Sequence, residues 1–140
     1  MITQVCLCDE DASAAIAAVR AELVKRGKSG SIAVVDTHGE IIALLRQSGA
    51  ALNSMTVATN KAFTAARLRR SSVELGRAVR HPEAGYDISY FGDNRYTGFA
   101  GGLPVLRDGV VAGAVGVSGL TQAEDEDLAR IGVAAILARG

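Results

Sequence analysis

Both ends of the chain carry the pattern of polar and apolar positions that is typical of a helix. Residues 120–140 place apolar side chains on one helical face, and Thr121 and Glu124 have the spacing of a capping box at its start. Residues 9–27 begin with acidic side chains and end with basic ones before Gly27, an order that the helix dipole and a glycine cap favour. Both segments are therefore predicted to be helices.

The middle of the chain adds two helices and a loop. Residues 51–70 are predicted to form the second helix, and residues 71–80 a third, short one, because Ser71 and Glu74 again have the spacing of a capping box. Residues 81–98 hold proline, glycine and asparagine together with all three tyrosines. We predict a long ordered loop there, a kind of segment that often carries function in a small domain.

Two segments have the pattern of strands. Residues 31–49 contain two runs of β-favouring residues around a Thr-His-Gly turn, whose glycine can take the positive φ of a tight turn. Residues 99–119, FAGGLPVLRDGVVAGAVGVSG, contain an Asp-Gly pair between apolar runs, which is a strong hairpin signal. The first segment is predicted to be a hairpin, and the second to supply two or three strands.

The last strand separates large side chains from small ones. One side carries Val111, Val115 and Val117 with Gly113 among them, and the other carries Val110, Ala112, Ala114 and Gly116. A face of small side chains lets a helix, a second subunit or a flat ligand come close, and the pattern leaves these three open. The glycines match neither a phosphate-binding loop nor a nucleophile elbow, because the spacing of both motifs is absent.

These elements predict an α+β fold in the order α-ββ-α-α-βββ-α, with an antiparallel five-stranded sheet covered by helices. The 140 residues suit a single domain spanning residues 1–140, and 49% of them are hydrophobic, enough for a sizeable core. The formal net charge of zero argues against a nucleic-acid binder that works through bulk electrostatics, and it fits a chain that buries surface in a homo-oligomer. No apolar run reaches the length of a membrane span and no signal peptide is visible, so we expect a cytoplasmic protein.

Lys61 is the most unusual polar residue of the second helix. On a helical wheel it lies outside the polar arc and in the sector of Val57, Ala58 and Ala65. A lysine in an apolar sector must extend to the surface, pair with a carboxylate or have a lowered pKa. A structural role and a role as acid/base or anion-binding group both stay open.

The segment YFGDNRYTGF, residues 90–99, holds a second group of candidates for ligand binding. They are Tyr90, Asp93, Arg95, Tyr96 and Phe99. Arg95 could hold a carboxylate through two hydrogen bonds, and the aromatic rings could stack on a planar ligand. In the alternative interpretation, Asp93 and Arg95 order the loop itself.

Gly101 and Gly102 place bare backbone at the entrance of a strand. Their N–H groups form either an anion-binding nest or a tight bend. The loop leads directly into these glycines, so we predict that one pocket gathers Lys61, Arg95, Tyr96 and the nest. Such a pocket would favour a small planar anion.

His38 lies at the tip of the first predicted hairpin. It is either an exposed turn residue or a ligand or acid/base group. The two histidines of the chain are far apart in sequence and no acidic cluster accompanies them, so no metal site is predicted.

Several motifs together resemble the GlcG/HbpS family of small haem-binding-like proteins, which includes the C-terminal domain of PduO-type proteins. They are SIAVVDTHGEIIALLR, NKAFTAAR, GGLPVLRDGVVAGAVGVSG and the acidic start of the last helix, within residues 9–138. The resemblance implies a helix-covered antiparallel sheet similar to profilin-like folds and assembly into dimers up to octamers. It also implies haem or a corrinoid as the ligand of some members.

The chain departs from the family pattern in two of these motifs. Members commonly read Gly-Gly-His after the aspartate of the hairpin turn, whereas Asp36 is followed by THGE, so that Glu40 holds the usual histidine position and His38 a glycine position. The resemblance therefore gives no haem-binding histidine at position 40. Lys61 matches the lysine of the family's Asp-Lys-Ala motif, with Asn60 in place of the aspartate, and Asn60 is a further candidate for ligand binding.

Three hypotheses for function follow. The first is an oligomeric protein that binds haem, a corrinoid or another planar anionic ligand. The second is a cofactor-free isomerase, tautomerase or lyase acting on a small carboxylated compound, with Lys61 as acid/base and Arg95, Gly101 and Gly102 holding the anion. The third is a purely structural or regulatory oligomer.

Overall fold

Four α-helices cover one antiparallel sheet in the computed structural model, which describes residues 1–140. The elements are α1 (Asp9–Arg26), β1 (Ser31–Asp36), β2 (Ile41–Arg46), α2 (Ser54–Leu68), α3 (Ser72–Val79), β3 (Gly102–Arg107), β4 (Val110–Ser118) and α4 (Gln122–Leu137). A short 3-10 helix, Ile88–Phe91, lies within the predicted loop. The prediction of an α+β fold is confirmed.

The sheet has four strands in the order β2-β1-β4-β3, and every neighbouring pair is antiparallel. The prediction of five strands is wrong. Residues 99–119 contain only one turn, at Asp108 and Gly109, and a single turn divides the segment into two arms, β3 and β4. The φ angles of Asp108 and Gly109, 50° and 78°, are both positive, as a two-residue hairpin turn of this kind requires.

A bulge changes the alternation of side chains along β4. Between Val105 and Leu106 the pairing of β3 with β4 shifts so that Ala112 has no partner. Ala112 therefore packs in the same cluster as Val115 and Val117 instead of on the opposite side. From Ala114 to Val117 the side chains alternate between the two faces as predicted. The prediction is wrong at Ala112, because the extra residue of a bulge reverses the face towards which the side chains before it point.

The two faces of the sheet carry different cores. Helices α1 and α4 cover one face, where Val19, Leu23, Ile32 and Leu128 are fully buried. Helix α2 covers the other face, and the cluster between them is almost entirely alanine: Ala33, Val35, Ala58, Ala62, Ala65, Ala66 and Ala114. Small side chains on both partners allow α2 to approach the sheet closely.

The glycines of β3 and β4 permit this close approach. Gly102 and Gly116 pair across the two strands directly under α2. A Cβ atom on Gly116 would overlap the carbonyl oxygen of Ala58, and one on Gly102 would overlap that of Lys61. Of the three occupants that the sequence left open for the small face, the structure therefore has a helix.

The two predicted capping boxes have different outcomes. The Thr121 hydroxyl accepts a hydrogen bond from the Glu124 backbone N–H at 3.2 Å and donates one to its carboxylate at 2.9 Å, so Thr121 caps α4. Ser71 lies at the start of α3, but its side chain makes no capping hydrogen bond. None of the helices combines the length and hydropathy needed to cross a bilayer.

Candidate functional site

A cleft of about 290 Å³ opens where α2 and α4 begin. We refer to it as the lysine cleft. Its lining residues are Ala51, Asn53, Ser54, Val57, Lys61, Phe99, Ser118, Gly119, Leu120, Gln122 and Asp125. Lys61 and Asp125 are its two charged residues, and each is only 2% exposed to solvent.

Lys61 and Asp125 form a buried ion pair in the lysine cleft. Lys61 Nζ donates to Asp125 Oδ2 at 2.8 Å and to the Val117 carbonyl oxygen at 2.9 Å. The second carboxylate oxygen, Oδ1, accepts the Leu120 backbone N–H at 3.0 Å. An ammonium group has three donors, so these two contacts leave one N–H of Lys61 without an acceptor in the protein.

Gly101 makes room for this pair. Its φ angle is +121°, and a Cβ atom there would lie 2.9 Å from Lys61 Nζ and 2.9 Å from Asp125 Cβ. The added atom would overlap both side chains of the pair and the Val117 carbonyl oxygen, at 2.7 Å. Gly101 therefore contributes a close approach of backbone to the ion pair.

Burial lowers the pKa of the Lys61 amine below its usual value of 10.5, because the apolar surroundings disfavour the charged form. The hydrogen bond and the charge of Asp125 offset part of this effect. An amine with a lowered pKa gives up its proton more readily than an ordinary lysine does, which suits a group that reacts with a ligand.

We expect the Lys61 side chain to titrate at lower pH in the folded protein than in the unfolded chain. Between the two pKa values the unfolded chain keeps a proton that the folded chain has released, so the contribution of Lys61 to stability rises with pH through that window. The measurement is a pH titration of the Lys61 Cε resonance by NMR, with the urea-unfolded chain as reference. A folded pKa at or above the unfolded one would contradict this expectation.

Two helices begin at the lysine cleft, and they differ in charge: the first turn of α4 carries the carboxylates of Glu124 and Asp125, whereas the first turn of α2 carries none. Asn53 and Ser54 stand at the start of α2, and Gln122 is the first residue of α4. The backbone N–H groups of a first helical turn lack helical acceptors, and the helix dipole places partial positive charge there. The Gln122 side-chain oxygen accepts the Ala100 N–H at 3.0 Å. The arrangement suits an anion of limited size.

Phe99 is the one residue of the predicted loop group that lines the lysine cleft, where its side chain is half exposed. Gly101 adjoins the ion pair, but Gly102 does not offer a free N–H, since it donates to Ser72 Oγ at 2.9 Å. The predicted anion-binding nest is therefore not available at Gly102. Asn60 is half-buried on α2 and is not part of the cleft lining.

Arg95 and Tyr96 lie outside the lysine cleft, so the single pocket expected to gather them with Lys61 does not form. The Arg95 guanidinium stacks on the buried Phe63 ring at 4.0 Å and bonds Asp93 at 2.9 Å. Tyr96 packs against the same ring, with centroids 5.0 Å apart. These contacts order the loop, which is the alternative that the sequence had left open for Asp93 and Arg95.

The remaining two candidates are both exposed. Tyr90 is 82% exposed. His38 lies in the hairpin turn between β1 and β2, where its backbone N–H donates to Asp36 Oδ1 at 2.8 Å and its carbonyl oxygen accepts from Arg67. A catalytic role for His38 and ligand binding by Tyr90 stay predictions.

Sequence reasoning missed several residues of the lysine cleft, Asp125 above all. One signal pointed towards it, because a lysine in an apolar sector needs a carboxylate and the start of the last predicted helix is acidic. The sequence did not say which of its acidic residues turns inward. Asn53, Ser54 and Gln122 carried no signal of their own, because polar residues are ordinary at helix starts.

Haem does not fit the lysine cleft. Among the side chains that ligate haem iron in proteins are histidine, cysteine, methionine and tyrosine, and the cleft lining contains none of them. The volume of about 290 Å³ also lies at the lower end of the range for small-molecule pockets, which begins near 300 Å³. The structure brings no three His, Cys, Asp or Glu side chains together as a metal site.

Fold and site together define a class: a small α+β protein with a four-stranded antiparallel sheet and a buried lysine–aspartate pair beside a cleft. Comparisons with known proteins agree with the fold. The model of a family described as haem degrading protein HbpS-like matches residues 7–134. GlcG from Escherichia coli is 39% identical over 118 residues, which span 84% of this chain and 85% of GlcG. The chain therefore belongs to the HbpS-like family, as the motifs predicted.

Two solved structures extend the comparison to three dimensions. The crystal structure of the Klebsiella pneumoniae protein ORFY has a TM-score of 0.92 at 30% identity, covering 98% of this chain and 95% of that one. The crystal structure of a PduOC–haem complex has a TM-score of 0.86 at 28% identity, covering 94% and 95%. The family thus includes a protein that binds a ligand, and the fold of this chain is shared with it.

Proposed function

We propose that the protein binds a small anionic compound, with a carboxylate as the charged group, in the lysine cleft. One observation carries the proposal: a buried lysine with an unused N–H donor faces a cleft at which two helices begin. Lys61 supplies a charged N–H donor, and the start of α2, which has no acidic side chain in its first turn, supplies partial positive charge. Asp125 neutralises the charge of Lys61 when no ligand is bound.

The lining supports a ligand with both polar and apolar parts. Asn53, Ser54, Ser118 and Gln122 offer polar groups, whereas Val57, Phe99 and Leu120 offer apolar surface. Lys61 is the only cationic side chain among them. A compound with a single carboxylate and a short carbon chain matches this set better than a polyanion does.

Calorimetric titration with acetate, lactate and pyruvate tests the proposal. We expect the wild-type protein to bind at least one of them, and the double variant Lys61→Met/Asp125→Asn to bind it at least about tenfold more weakly, a difference of about 1.4 kcal/mol. Lys25→Met is the matched control, because Lys25 is an exposed lysine on α1, and it should bind as the wild type does. Equal binding by the double variant, or no binding of any of the three by the wild type, would contradict the proposal.

A second candidate function is proton transfer on such a ligand by an isomerase, tautomerase or lyase. The observation that favours it is the distance of 2.8 Å between Lys61 Nζ and Asp125 Oδ2, across which a proton can pass. The N-terminus of α2 would then hold the anion, the role that the sequence had suggested for Arg95. Wild-type protein should then speed deuterium exchange at the methyl carbon of pyruvate, which is next to the ketone. An unchanged rate in Lys61→Met/Asp125→Asn would exclude Lys61 as the group that transfers the proton.

Haem and corrinoid binding stay predictions of the family relationship. The similarity to the PduOC–haem complex supports haem binding, which would need a surface other than the lysine cleft. A haem titration that shows a Soret band altered by His38→Ala would place haem at the hairpin turn. Self-association also stays a prediction, supported by exposed apolar side chains such as Ile41, Leu52 and Phe99.

A further inference from the structure

We infer that Lys61 forms a covalent imine with the carbonyl carbon of a small 2-oxo acid bound in the lysine cleft. The inference rests on the proposed function, since it adds a bond to a ligand that the cleft must first hold. It names a class of ligand: a monocarboxylate with a ketone or aldehyde next to the carboxylate.

The surroundings of Lys61 provide what imine formation needs. An amine attacks a carbonyl only after it has lost a proton, and Asp125 Oδ2 lies 2.8 Å away as the acceptor. The side chain is held in place, because Nζ also donates to the Val117 carbonyl oxygen at 2.9 Å. Burial of the amine at 2% exposure favours its neutral form.

The reaction balances with these groups alone. The Lys61 ammonium passes one proton to Asp125, and the nitrogen lone pair forms a bond to the carbonyl carbon while the C=O π pair moves to the oxygen. A second proton passes from the nitrogen to that oxygen, which gives a neutral carbinolamine. Asp125 then returns the first proton to the hydroxyl group, which leaves as water while the nitrogen lone pair forms the C=N bond. The products are a protonated imine and one water molecule, and no oxidant or reductant is consumed.

The charge of the site does not change in this reaction. A protonated imine carries the same single positive charge as the ammonium, so Asp125 keeps its partner in the buried pair. The imine nitrogen retains one N–H where the ammonium had three, and that N–H can still be donated to Asp125 Oδ2. A buried carboxylate beside the lysine therefore suits the adduct as well as the free amine.

The requirement for a carboxylate on the ligand follows from the start of α2. Lys61 is the only cation of the lining and would be engaged with the carbonyl, so the carboxylate of the ligand needs another positive region. The first turn of α2, which has no acidic side chain and no side-chain cap, supplies it. A simple aldehyde lacks the group that this turn binds, and a 2-hydroxy acid lacks the carbonyl.

Reductive trapping tests the inference. Wild-type protein is incubated with pyruvate and sodium cyanoborohydride, then digested and analysed by mass spectrometry. We expect the reduced pyruvate adduct on the peptide that contains Lys61, formed at least tenfold more than on the peptide of the exposed Lys25. Propanal lacks the carboxylate, so it should favour Lys61 over Lys25 less than pyruvate does, and lactate should protect Lys61 from pyruvate.

The outcomes separate this inference from the proposed function. If pyruvate and lactate bind in the calorimeter but Lys61 is not trapped above Lys25, the imine is excluded and the binding function stands. If neither compound binds and no adduct is trapped, both the imine and the proposed binding function are excluded. Lys25→Met is the matched control, and it should bind lactate and give the same adduct on Lys61 as the wild type. Trapping of Asp125→Asn at the wild-type rate would exclude Asp125 as the proton acceptor.

Discussion

Replacing Lys61 with methionine is expected to lower the free energy of unfolding by about 3–5 kcal/mol, the usual cost of removing one partner of a buried ion pair. Methionine is close to lysine in length and lacks only the charge and its hydrogen bonds. Asp125 would remain 2% exposed with no cation beside it. The measurement is urea unfolding at neutral pH, with Lys25→Met as the control for losing an exposed lysine.

The double variant Lys61→Met/Asp125→Asn should recover most of the free energy of unfolding that Lys61→Met loses. Asparagine has the shape of aspartate without its charge, and its side-chain oxygen can still accept the Leu120 N–H that Asp125 Oδ1 accepts at 3.0 Å. The coupling energy between the two sites is read from the full double-mutant cycle. A Lys61→Met protein as stable as the wild type would mean that the pair contributes nothing to the fold.

The second large effect is expected for Gly116→Ala, which should lower the free energy of unfolding by about 3 kcal/mol or more. This value lies at the upper end of the range for overpacking. The added Cβ atom would overlap the Ala58 carbonyl oxygen and press on the backbone of Ala62. Both obstacles are backbone atoms of α2, so no side-chain rotation relieves them. The helix would have to move away from the sheet and open the alanine cluster.

Gly92→Ala is the matched control for Gly116→Ala, since Gly92 has open space around its Cα but a φ of +73°. There only the strain of a left-handed residue applies, about 1–2 kcal/mol. Thermal or urea unfolding of the two variants compares steric overlap with backbone strain. A Gly116→Ala variant at least as stable as Gly92→Ala would show that α2 does not pack as closely as the structure indicates.

The sequence predicted the helices and hairpins well because their signals are local. The turn at Asp108 and Gly109 and the cap at Thr121 depend on neighbours a few residues away, and both form. Ala112 shows the limit of this reasoning. Its side chain points to the α1 and α4 side because of a bulge, which depends on how β3 pairs with β4 and not on the residues around Ala112 alone.

The site was harder to predict because it depends on distant partners. The helical wheel identified Lys61 as a residue that needed a partner, but Asp125 is 64 positions further along the chain. Arg95 had the right chemistry for a carboxylate, but it is engaged by Asp93, two residues away, and by the ring of Phe63 on α2. Composition alone does not show which donors and acceptors a folded chain has already matched.

The position of Lys61 also has a consequence for how the molecule responds to a ligand. Its backbone presses α2 against Gly102 of β3, while its ammonium bonds β4 at Val117 and α4 at Asp125. One residue therefore ties together the helices that cover opposite faces of the sheet. Any ligand that changes the state of Lys61 acts on a junction between the two cores, so slowed amide hydrogen exchange should extend to both faces instead of staying beside the cleft.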